Sequence, residues 1–228
     1  MRKINILGLD LRDYTLREKM QMADRYLQHG ALGTISCVSA KILMRAEGDA
    51  QQKQWLEAMD ILEYHDADIL RAAGITARNR LKEAENNSFI YELIKKAIRE
   101  KHTLYLLSDD REDAAVLEEE LERQQGMQQI AGRYIIEADT DMNADTVIND
   151  INDKAPDVIL ARLSYPMQEA FICENRKLIN ADIWVGLRKG YSVFRTEGKK
   201  TDRLFKKLQR KLFRRKVHRY ENQEKTER

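Results

Sequence analysis

The sequence predicts an α/β protein in which a largely parallel sheet is flanked by helices and followed by a basic amphipathic helix. Apolar runs of strand length alternate with stretches of helical period almost from end to end, which is typical of α/β folds. With 228 residues, 43% of them apolar, the chain can bury a sizeable core. Its positive charge is concentrated near the C-terminus, which sets the last helix apart from the rest.

Seven short apolar runs, each bounded by polar residues or glycine, are predicted to be strands. Helical stretches separate most of them, so we expect parallel strands with their carboxyl ends at one edge of the sheet. The predicted strands are Ile4–Leu9, Leu32–Val38, Asp60–Tyr64, Thr103–Leu107, Gln129–Tyr134, Asp157–Leu163 and Asp182–Gly186.

The predicted helices have local start signals and one apolar side. Thr15 and Glu18 have the spacing of a capping box, in which each side chain accepts a backbone N–H of the other residue. Apolar residues at helical spacing give the later helices a face that packs on the sheet. The helices are predicted to run from Thr15 to Gly30, from a cap at Ser88 to Ile98, from Asp110 to Gln125, and from Pro166 to Ile179.

The chain has no sign of an internal domain boundary before Gly198, because no Gly/Ser-rich linker interrupts it. We therefore expect residues 1–198 to form one domain and residues 199–228 to form a basic appendage. Eleven lysines and arginines stand against one acid between Lys199 and Arg219, whereas residues 1–198 carry a net charge of −7. An acidic body without a second basic patch argues against a nucleic-acid partner.

Missing motifs remove support from several enzyme classes. The sequence contains no P-loop, G-x-G-x-x-G, H-E-x-x-H, C-x-x-C or G-x-S-x-G. Its four histidines are scattered and its two cysteines, Cys37 and Cys173, lack metal-type spacing, so no metal site is expected. Two distant cysteines suit a reducing compartment. No apolar run approaches the roughly 20 residues of a membrane-spanning helix, and we expect a cytoplasmic protein.

A polar cluster, His65-Asp66-Ala67-Asp68, follows the third predicted strand. It should lie at the edge where α/β proteins bind ligands. A histidine beside carboxylates can take a proton from a hydroxyl nucleophile, so His65 and Asp66 are candidate catalytic residues and Asp68 a candidate substrate-binding residue. The alternative is structural: Asp66 or Asp68 accepts backbone N–H groups at the start of a short helix.

A second candidate cluster, Pro166-Met-Gln-Glu169, follows the strand Asp157–Leu163 at the start of a predicted helix. Free N–H groups at such a position can meet a phosphate or sugar oxygen. Gln168 offers both a donor and an acceptor and is a candidate substrate-binding residue, as is Glu169. For Glu169 the alternative is a favourable interaction with the helix dipole, without any ligand.

In order and spacing, the stretches Ile148–Leu160, Pro166–Ile172 and Ile183–Gly186 resemble the WecB/TagA/CpsF glycosyltransferases, and the resemblance covers about residues 4–190. It implies a Rossmann-like fold and the inverting transfer of N-acetylmannosamine or a related sugar from a UDP-sugar to an undecaprenyl-diphosphate-linked sugar. Such reactions serve the synthesis of teichoic acid and other cell-surface polysaccharides. The UDP-sugar would be the donor substrate, with no separate cofactor.

The sequence departs from the family's pattern at several of its motifs. The substrate-binding T-x-N reads Cys37-Val-Ser39, and the resemblance makes Ser39 a candidate substrate-binding residue. The D-G motif, whose aspartate is the presumed base, falls on His65-Asp66. The arginine of R-x-x-G is missing near residues 83–86, and the glycine-rich turn after the fourth strand reads Ser108-Asp-Asp-Arg111. A catalytically silent homologue, binding a sugar nucleotide or acting as a regulatory partner in polysaccharide assembly, is therefore the second hypothesis.

Transfer from a UDP-sugar also requires positive charge against the departing diphosphate. In the body of the chain the candidates are Arg71, Arg78 and Arg80, which are near His65 only in sequence. The basic tail is a second source of charge if it folds over the site.

The tail itself has the pattern of a basic amphipathic helix, with apolar residues at helical spacing between Leu204 and Val217. Such helices lie on lipid surfaces, where each basic residue near an anionic surface contributes about 1 kcal/mol. We therefore predict a peripheral protein on the inner face of the cell membrane, with a solvated charged tail as the alternative and a homo-oligomer left open. The candidate membrane-binding residues are Lys206, Lys207, Arg210, Lys211, Arg214 and Arg215.

Overall fold

The computed structural model describes residues 2–136, 143–190, 193–194 and 202–226, with side chains except those of residues 29, 202–208 and 224–226. The strands are β1 Arg2–Ile6, β2 Leu9–Asp13, β3 Gly33–Val38, β4 Ile61–Tyr64, β5 Leu104–Ser108, β6 Ile130–Ile135, β7 Val158–Arg162 and β8 Ile183–Gly186. The helices are α1 Leu16–His29, α2 Ala40–Ala46, α3 Ala50–Ala58, α4 Ala67–Ala72, α5 Arg78–Glu85, α6 Ser88–Arg99, α7 Arg111–Arg123, α8 Ala144–Lys154, α9 Met167–Asn175 and α10 Asp202–Thr226.

The predicted α/β class is confirmed by a six-stranded sheet in the order β4-β3-β8-β7-β5-β6. Each neighbouring pair in this sheet is parallel. All six carboxyl ends therefore meet at one edge, where ligands bind in open α/β sheets. The last strand in sequence, β8, lies in the middle, between β3 and β7.

Two apolar cores lie on opposite faces of the sheet, because successive side chains of a strand point to opposite sides. In β7, Val158 and Leu160 pack in the core with α6, whereas Ile159 and Ala161 pack in the core with α3 and α9. A sheet buried on both faces explains why the central strands are continuous apolar runs in the sequence.

Matching threonine and aspartate side chains join strands at the amino edge of the sheet. Thr34 donates its N–H and hydroxyl to Asp60 at 2.8 and 3.0 Å, and the Asp60 N–H donates back to the Thr34 hydroxyl at 3.1 Å. Thr103 and Asp157 repeat this arrangement between β5 and β7. These four side chains therefore hydrogen-bond to one another in pairs at the amino edge of the sheet, which is opposite the edge where ligands bind.

The predicted strand Ile4–Leu9 is wrong, because the chain turns back on itself within it. Leu7 and Gly8 have φ angles of 55° and 72°, and the tight turn joins β1 to β2 in a separate antiparallel pair. Two successive residues with positive φ match the right-handed twist of a hairpin. Apolar residues on both sides of the turn concealed it in the sequence.

The helix signals are confirmed in part. The capping box is present, with the Glu18 N–H donating to the Thr15 hydroxyl at 3.2 Å and the Thr15 N–H donating to the Glu18 carboxylate at 2.8 Å. The predicted cap at Ser88 is wrong: Asn87, with φ at 51°, occupies the cap and makes no side-chain capping bond. The helix that begins after Pro166 ends at Asn175, four residues before the predicted end.

The C-terminal helix α10 packs on the body of the protein. It contacts α2 and α4, with Phe213 fully buried and Val217 only 9% exposed. These two apolar side chains, which the sequence suggested for a lipid surface, lie in the protein core in this structure. The division of the chain at Gly198 stays a prediction. Within the described part of the chain, no helix combines the length and apolarity needed to cross a bilayer.

Candidate functional site

A cavity of about 140 Å³ opens at the carboxyl edge of the sheet. It lies where β3, β7 and β8 end, and the residues that follow these strands supply its walls. The predicted substrate-binding residues Ser39, Gln168 and Glu169 all line it, although well over one hundred residues separate Ser39 from the other two. The parallel sheet brings them together, as the shared carboxyl edge requires.

Gln168 and Glu169 form the buried floor of this cavity. One Glu169 oxygen, Oε1, accepts hydrogen bonds from the Ser36 hydroxyl at 2.7 Å and from the Gln168 amide at 3.5 Å. The Gln168 oxygen in turn accepts the Leu163 N–H at 3.2 Å. Gln168 lies so close to Gly186 that a Cβ there would stand 2.6 Å from the Gln168 amide nitrogen. The close approach of this side chain to β8 thus requires glycine.

Two polar atoms in the cavity wall are buried without a hydrogen-bond partner among the described residues: Glu169 Oε2 and the Tyr165 hydroxyl. Glu169 is only 1% exposed. Burial raises the pKa of its carboxyl group, and burial together with the negative charge of Glu169 raises the pKa of Tyr165. Buried polar atoms are normally hydrogen-bonded, so these two atoms favour a bound hydrogen-bonding group in the cavity.

Four basic side chains surround the opening of the cavity: Lys41, Arg45, Arg188 and Lys189. Two belong to α2, and two directly follow β8. The Arg45 guanidinium lies 5.7 Å from the centre of the Tyr165 ring, and Lys189 forms an ion pair with Asp109 at 3.0 Å. Glu169 is the one acidic residue among the described residues of the lining, so the cavity suits an anionic ligand.

The sequence did not point to these four cations. Of its own candidates, Arg71 pairs with Asp68 at 3.2 Å and with Glu85 at 3.5 Å, and Arg80 pairs with Asp13 at 2.6 Å. Arg71 and Arg80 therefore have structural partners away from the cavity lining. Their position in the sequence could have identified them, because each of the four cations comes within seven residues after the carboxyl end of a predicted strand.

His65 follows β4, one strand outside the cavity. The backbone N–H of His65 donates to the Val38 carbonyl at 3.0 Å, and this hydrogen bond extends the pairing of β3 with β4. Burial, then the positive charges of Arg188 and Lys19, lower the pKa of the imidazole to about 3. His65 is therefore neutral near pH 7 and, in this state of the protein, a weak proton acceptor.

Asp66 holds the start of α2. Its carboxylate accepts the Ala40 N–H at 2.8 Å, so the loop after β4 is tied to the helix that carries Lys41 and Arg45. This matches the structural alternative, although the N–H belongs to α2 and not to the helix that Asp66 precedes. A catalytic role for Asp66 or His65 stays a prediction.

Asp68 is buried beneath α10, where its carboxylate faces three arginines. Arg214 donates to it at 2.9 Å, Arg71 at 3.2 Å, and Arg210 through a short contact. The carboxylate thus joins α4 to α10. A substrate-binding role for Asp68 stays a prediction.

Among the described residues, no group of three or more His, Cys, Asp or Glu side chains could hold a metal ion. Cys37 lines the cavity, and burial raises the pKa of its thiol. Both Cys37 and Cys173 are free cysteines. The polar groups that line the cavity include its four cations, the Glu169 carboxyl group, the Gln168 amide and the hydroxyl groups of Ser39 and Tyr165.

Residues 4–215 match the family model described as the glycosyl transferase WecG/TagA/CpsF family. The matched range includes the cavity, the residues from His65 to Asp68, and α10 as far as Arg215. A comparison with curated proteins found no match.

Proposed function

The chain belongs to the WecG/TagA/CpsF family of glycosyltransferases, and we propose that it transfers an N-acetylmannosamine-type sugar from a UDP-sugar to an undecaprenyl-diphosphate-linked acceptor, inverting the anomeric centre. The observation that carries the proposal is the cavity, which is lined by four cations and by two buried polar atoms without a hydrogen-bond partner among the described residues. A sugar linked to a diphosphate offers the complementary groups, because its phosphates are anionic and its sugar carries hydrogen-bond donors.

In this proposal the diphosphate lies against Lys41, Arg45 and Arg188. Negative charge develops on the leaving diphosphate during transfer, and fixed cations stabilise that charge most in the transition state. Guanidinium groups also donate paired hydrogen bonds to phosphate oxygens. A cavity of about 140 Å³ suits a phosphate or a single sugar, so the remainder of the nucleotide would lie along the edge of the sheet.

The sugar would lie over Gln168 and Glu169. The unpartnered Glu169 oxygen would accept a hydrogen bond from a sugar hydroxyl or from an acetamido N–H. Since Gln168 is fixed between Leu163 and Gly186, its amide holds the Glu169 carboxyl group in one orientation. A rigid acceptor of this kind discriminates strongly against a sugar that lacks the matching donor.

His65 is the proposed proton acceptor for the attacking hydroxyl, with Asp66 as the alternative. The positive charge of Arg188 is one of the causes that lower the pKa of His65. A diphosphate bound to Arg188 would offset this charge and raise the pKa, so the imidazole would become a better base when the donor is present. Donor binding and proton transfer would thereby be coupled through one arginine.

A lipid-linked acceptor requires an approach to a membrane surface. On the described part of α10, Lys211 and Arg215 are exposed, whereas Arg210 and Arg214 pair with Asp68. We propose that the exposed basic residues bind anionic lipid, and that the protein acts at the inner face of the cell membrane.

The second candidate function is that of a silent homologue that binds a sugar nucleotide without turnover. The low pKa of His65 favours it, because an imidazole that is neutral and weakly basic accepts a proton slowly. The two functions make the same prediction for binding and opposite predictions for turnover.

The test is release of UDP from UDP-N-acetylmannosamine in the presence of a short-chain lipid-diphosphate sugar, with UDP binding measured separately by calorimetry. We expect Arg188→Ala to weaken UDP binding at least tenfold and His65→Ala to abolish turnover while UDP still binds. Lys177→Ala, an exposed change at the opposite edge, is the control. Binding without turnover in the wild-type protein would establish the silent homologue, and absence of UDP binding would contradict both functions.

A further inference from the structure

Arg162, the last residue of β7, is a fully buried arginine with two carboxylate partners on α7. Its guanidinium lies 3.4 Å from Asp113 and 3.0 Å from Glu120, and it also donates to the Asp113 carbonyl at 3.2 Å. Asp113 and Glu120 are seven residues apart, two helical turns, and so lie on the same side of α7. Buried charges of this kind are rare unless they are paired.

Both carboxylates also bind the backbone of the segment that follows β8. The oxygen of Asp113 that faces Arg162 accepts the Gly190 N–H at 3.2 Å, and the oxygen of Glu120 that faces Arg162 accepts the Val193 N–H at 3.2 Å. Each carboxylate therefore connects the guanidinium to the segment, and neither could turn without giving up one of its two partners.

This segment carries two of the four cations of the cavity, Arg188 and Lys189. On one side of them the Leu187 N–H donates to the Ala161 carbonyl at 2.7 Å, and on the other side Gly190 is held by Asp113. The two cations thus lie between two fixed points, one on β7 and one on α7.

We propose that Arg162 is a positioning residue that fixes the segment carrying Arg188 and Lys189 at the cavity. Without its guanidinium, two buried carboxylates of like charge would face each other, and their hydrogen bonds to Gly190 and Val193 would be released. The segment would then lose its fixed point on α7. The consequence for a nucleoside diphosphate rests on the proposed function, because that ligand is the one assigned to these cations.

The side chain of Lys189 provides a second contact that holds the same segment. Lys189 pairs with Asp109 and with Asp110, at 3.0 and 3.3 Å. Asp109 also accepts the Ser164 N–H at 2.9 Å, in the turn after β7. The charge of Lys189 is therefore partly neutralised, and its ammonium group is fixed by the two carboxylates.

The chain provides a matched control at the opposite end of β7. Thr103 and Asp157 join β5 to β7 at the amino edge through hydrogen bonds of 2.6 to 2.9 Å. Asp157→Ala should lower stability without touching the segment after β8. If Arg162 contributes to stability alone, Arg162→Gln and Asp157→Ala should affect ligand affinity in the same way. If Arg162 positions the segment, only Arg162→Gln should weaken ligand binding.

The experiment measures calorimetric binding of UDP and of inorganic pyrophosphate, together with hydrogen exchange of the Gly190 and Val193 amides. We expect Arg162→Gln to weaken both ligands at least tenfold and to speed exchange at both amides. Arg162→Lys should restore part of the affinity, because it returns the positive charge. Asp157→Ala should lower the melting temperature and leave the affinities unchanged.

If Arg162→Gln does not fold, Glu120→Ala serves in its place, because it removes both the ion pair with Arg162 and the acceptor of the Val193 N–H. A folded variant with unchanged exchange at both amides, or with wild-type affinity despite lower stability, would overturn the positioning role. Failure of the wild-type protein to bind either ligand would instead overturn the proposed function.

Discussion

At the scale of single residues, Gly186 determines how closely Gln168 can approach β8. Gly186→Ala would place a Cβ 2.6 Å from the Gln168 amide nitrogen and 2.9 Å from its Cδ. Because Gln168 is buried and hydrogen-bonded, it cannot move without disturbing Glu169. We expect a loss of about 1–3 kcal/mol in the free energy of unfolding, measured in urea, and at least tenfold weaker binding of a UDP-sugar.

The matched control is Gly48→Ala, where an added Cβ meets nothing within 4 Å. Its stability and ligand affinity should stay near those of the wild-type protein. If Gly186→Ala has the stability and ligand affinity of the wild-type protein, neither property depends on the present position of Gln168.

The imidazole of His65 should make the protein sensitive to acid. Its pKa is lowered from 6.5 to about 3 in the folded protein, chiefly by burial. Between these pH values the unfolded chain binds a proton at His65 that the folded protein does not, so the free energy of unfolding falls as the pH falls. His65→Gln should reduce the loss of stability between pH 7.5 and pH 5 by about 1–2 kcal/mol, measured by urea unfolding at both pH values.

His218→Gln is the control, because it removes an exposed imidazole on α10 without changing the cavity. An identical pH dependence for His65→Gln and the wild-type protein would contradict the buried, neutral state of His65.

Sequence reasoning found the floor of the candidate site but not its cations. Gln168 and Glu169 could be singled out because they stand at a helix start that follows a strand, whereas Ser39 was indicated by the family resemblance. Arg188 could be assigned only once β8 was known to lie beside β3, and this strand order is a property of the tertiary fold. Proximity in sequence favoured Arg71 and Arg80, whose partners are elsewhere.

At the scale of elements, a buried carboxylate is one of the contacts that hold α10 to the body. Asp68 is only 6% exposed and pairs with Arg210 and Arg214. Asp68→Asn removes the charge while keeping the shape, so we expect a loss of about 1–2 kcal/mol in the free energy of unfolding and faster tryptic cleavage within α10. Urea unfolding and timed proteolysis measure the two effects.

Glu119→Gln offers the comparison, since Glu119 and its partner Arg123 are both more than half exposed and such pairs contribute little. Equal cleavage rates in Asp68→Asn and Glu119→Gln would mean that the Asp68 ion pairs do not hold α10 to the body.

Element boundaries were most accurate for the buried parallel strands. The prediction for β3 differs by one residue at its start, because a strand buried on both faces is a continuous apolar run. The apolar pattern was misleading at the N-terminus, where the turn at Leu7 and Gly8 lies inside the predicted strand Ile4–Leu9. The short helices α3 and α5 have weak apolar patterns, because each buries few side chains, and the sequence did not single them out.

At the scale of the whole molecule, the acidic body and the basic helix are packed together, which changes how a membrane role must be tested. Removing the tail would also remove Phe213 and Val217 from the core. Charge reversal at exposed positions of α10 leaves Phe213 and Val217 in the core. We expect Lys211→Glu combined with Arg215→Glu to reduce co-sedimentation with phosphatidylglycerol vesicles at least tenfold, since each basic residue contributes about 1 kcal/mol.

The control combines Lys154→Glu with Lys177→Glu, which makes the same change in net charge near the amino edge of the sheet. Equal loss of vesicle binding in the two double variants would assign the effect to overall charge and not to α10.

The central place of β8 has a consequence for the order of events during synthesis. Until residues 183–186 leave the ribosome, β3 and β4 form one block and β5, β6 and β7 another, with no strand pairing between them. The nascent chain therefore holds its two half-sheets apart until four late residues arrive. Because loop closure over such distances is slow, the ligand-binding edge is expected to be completed only after β8 has been synthesised, in a single closing step.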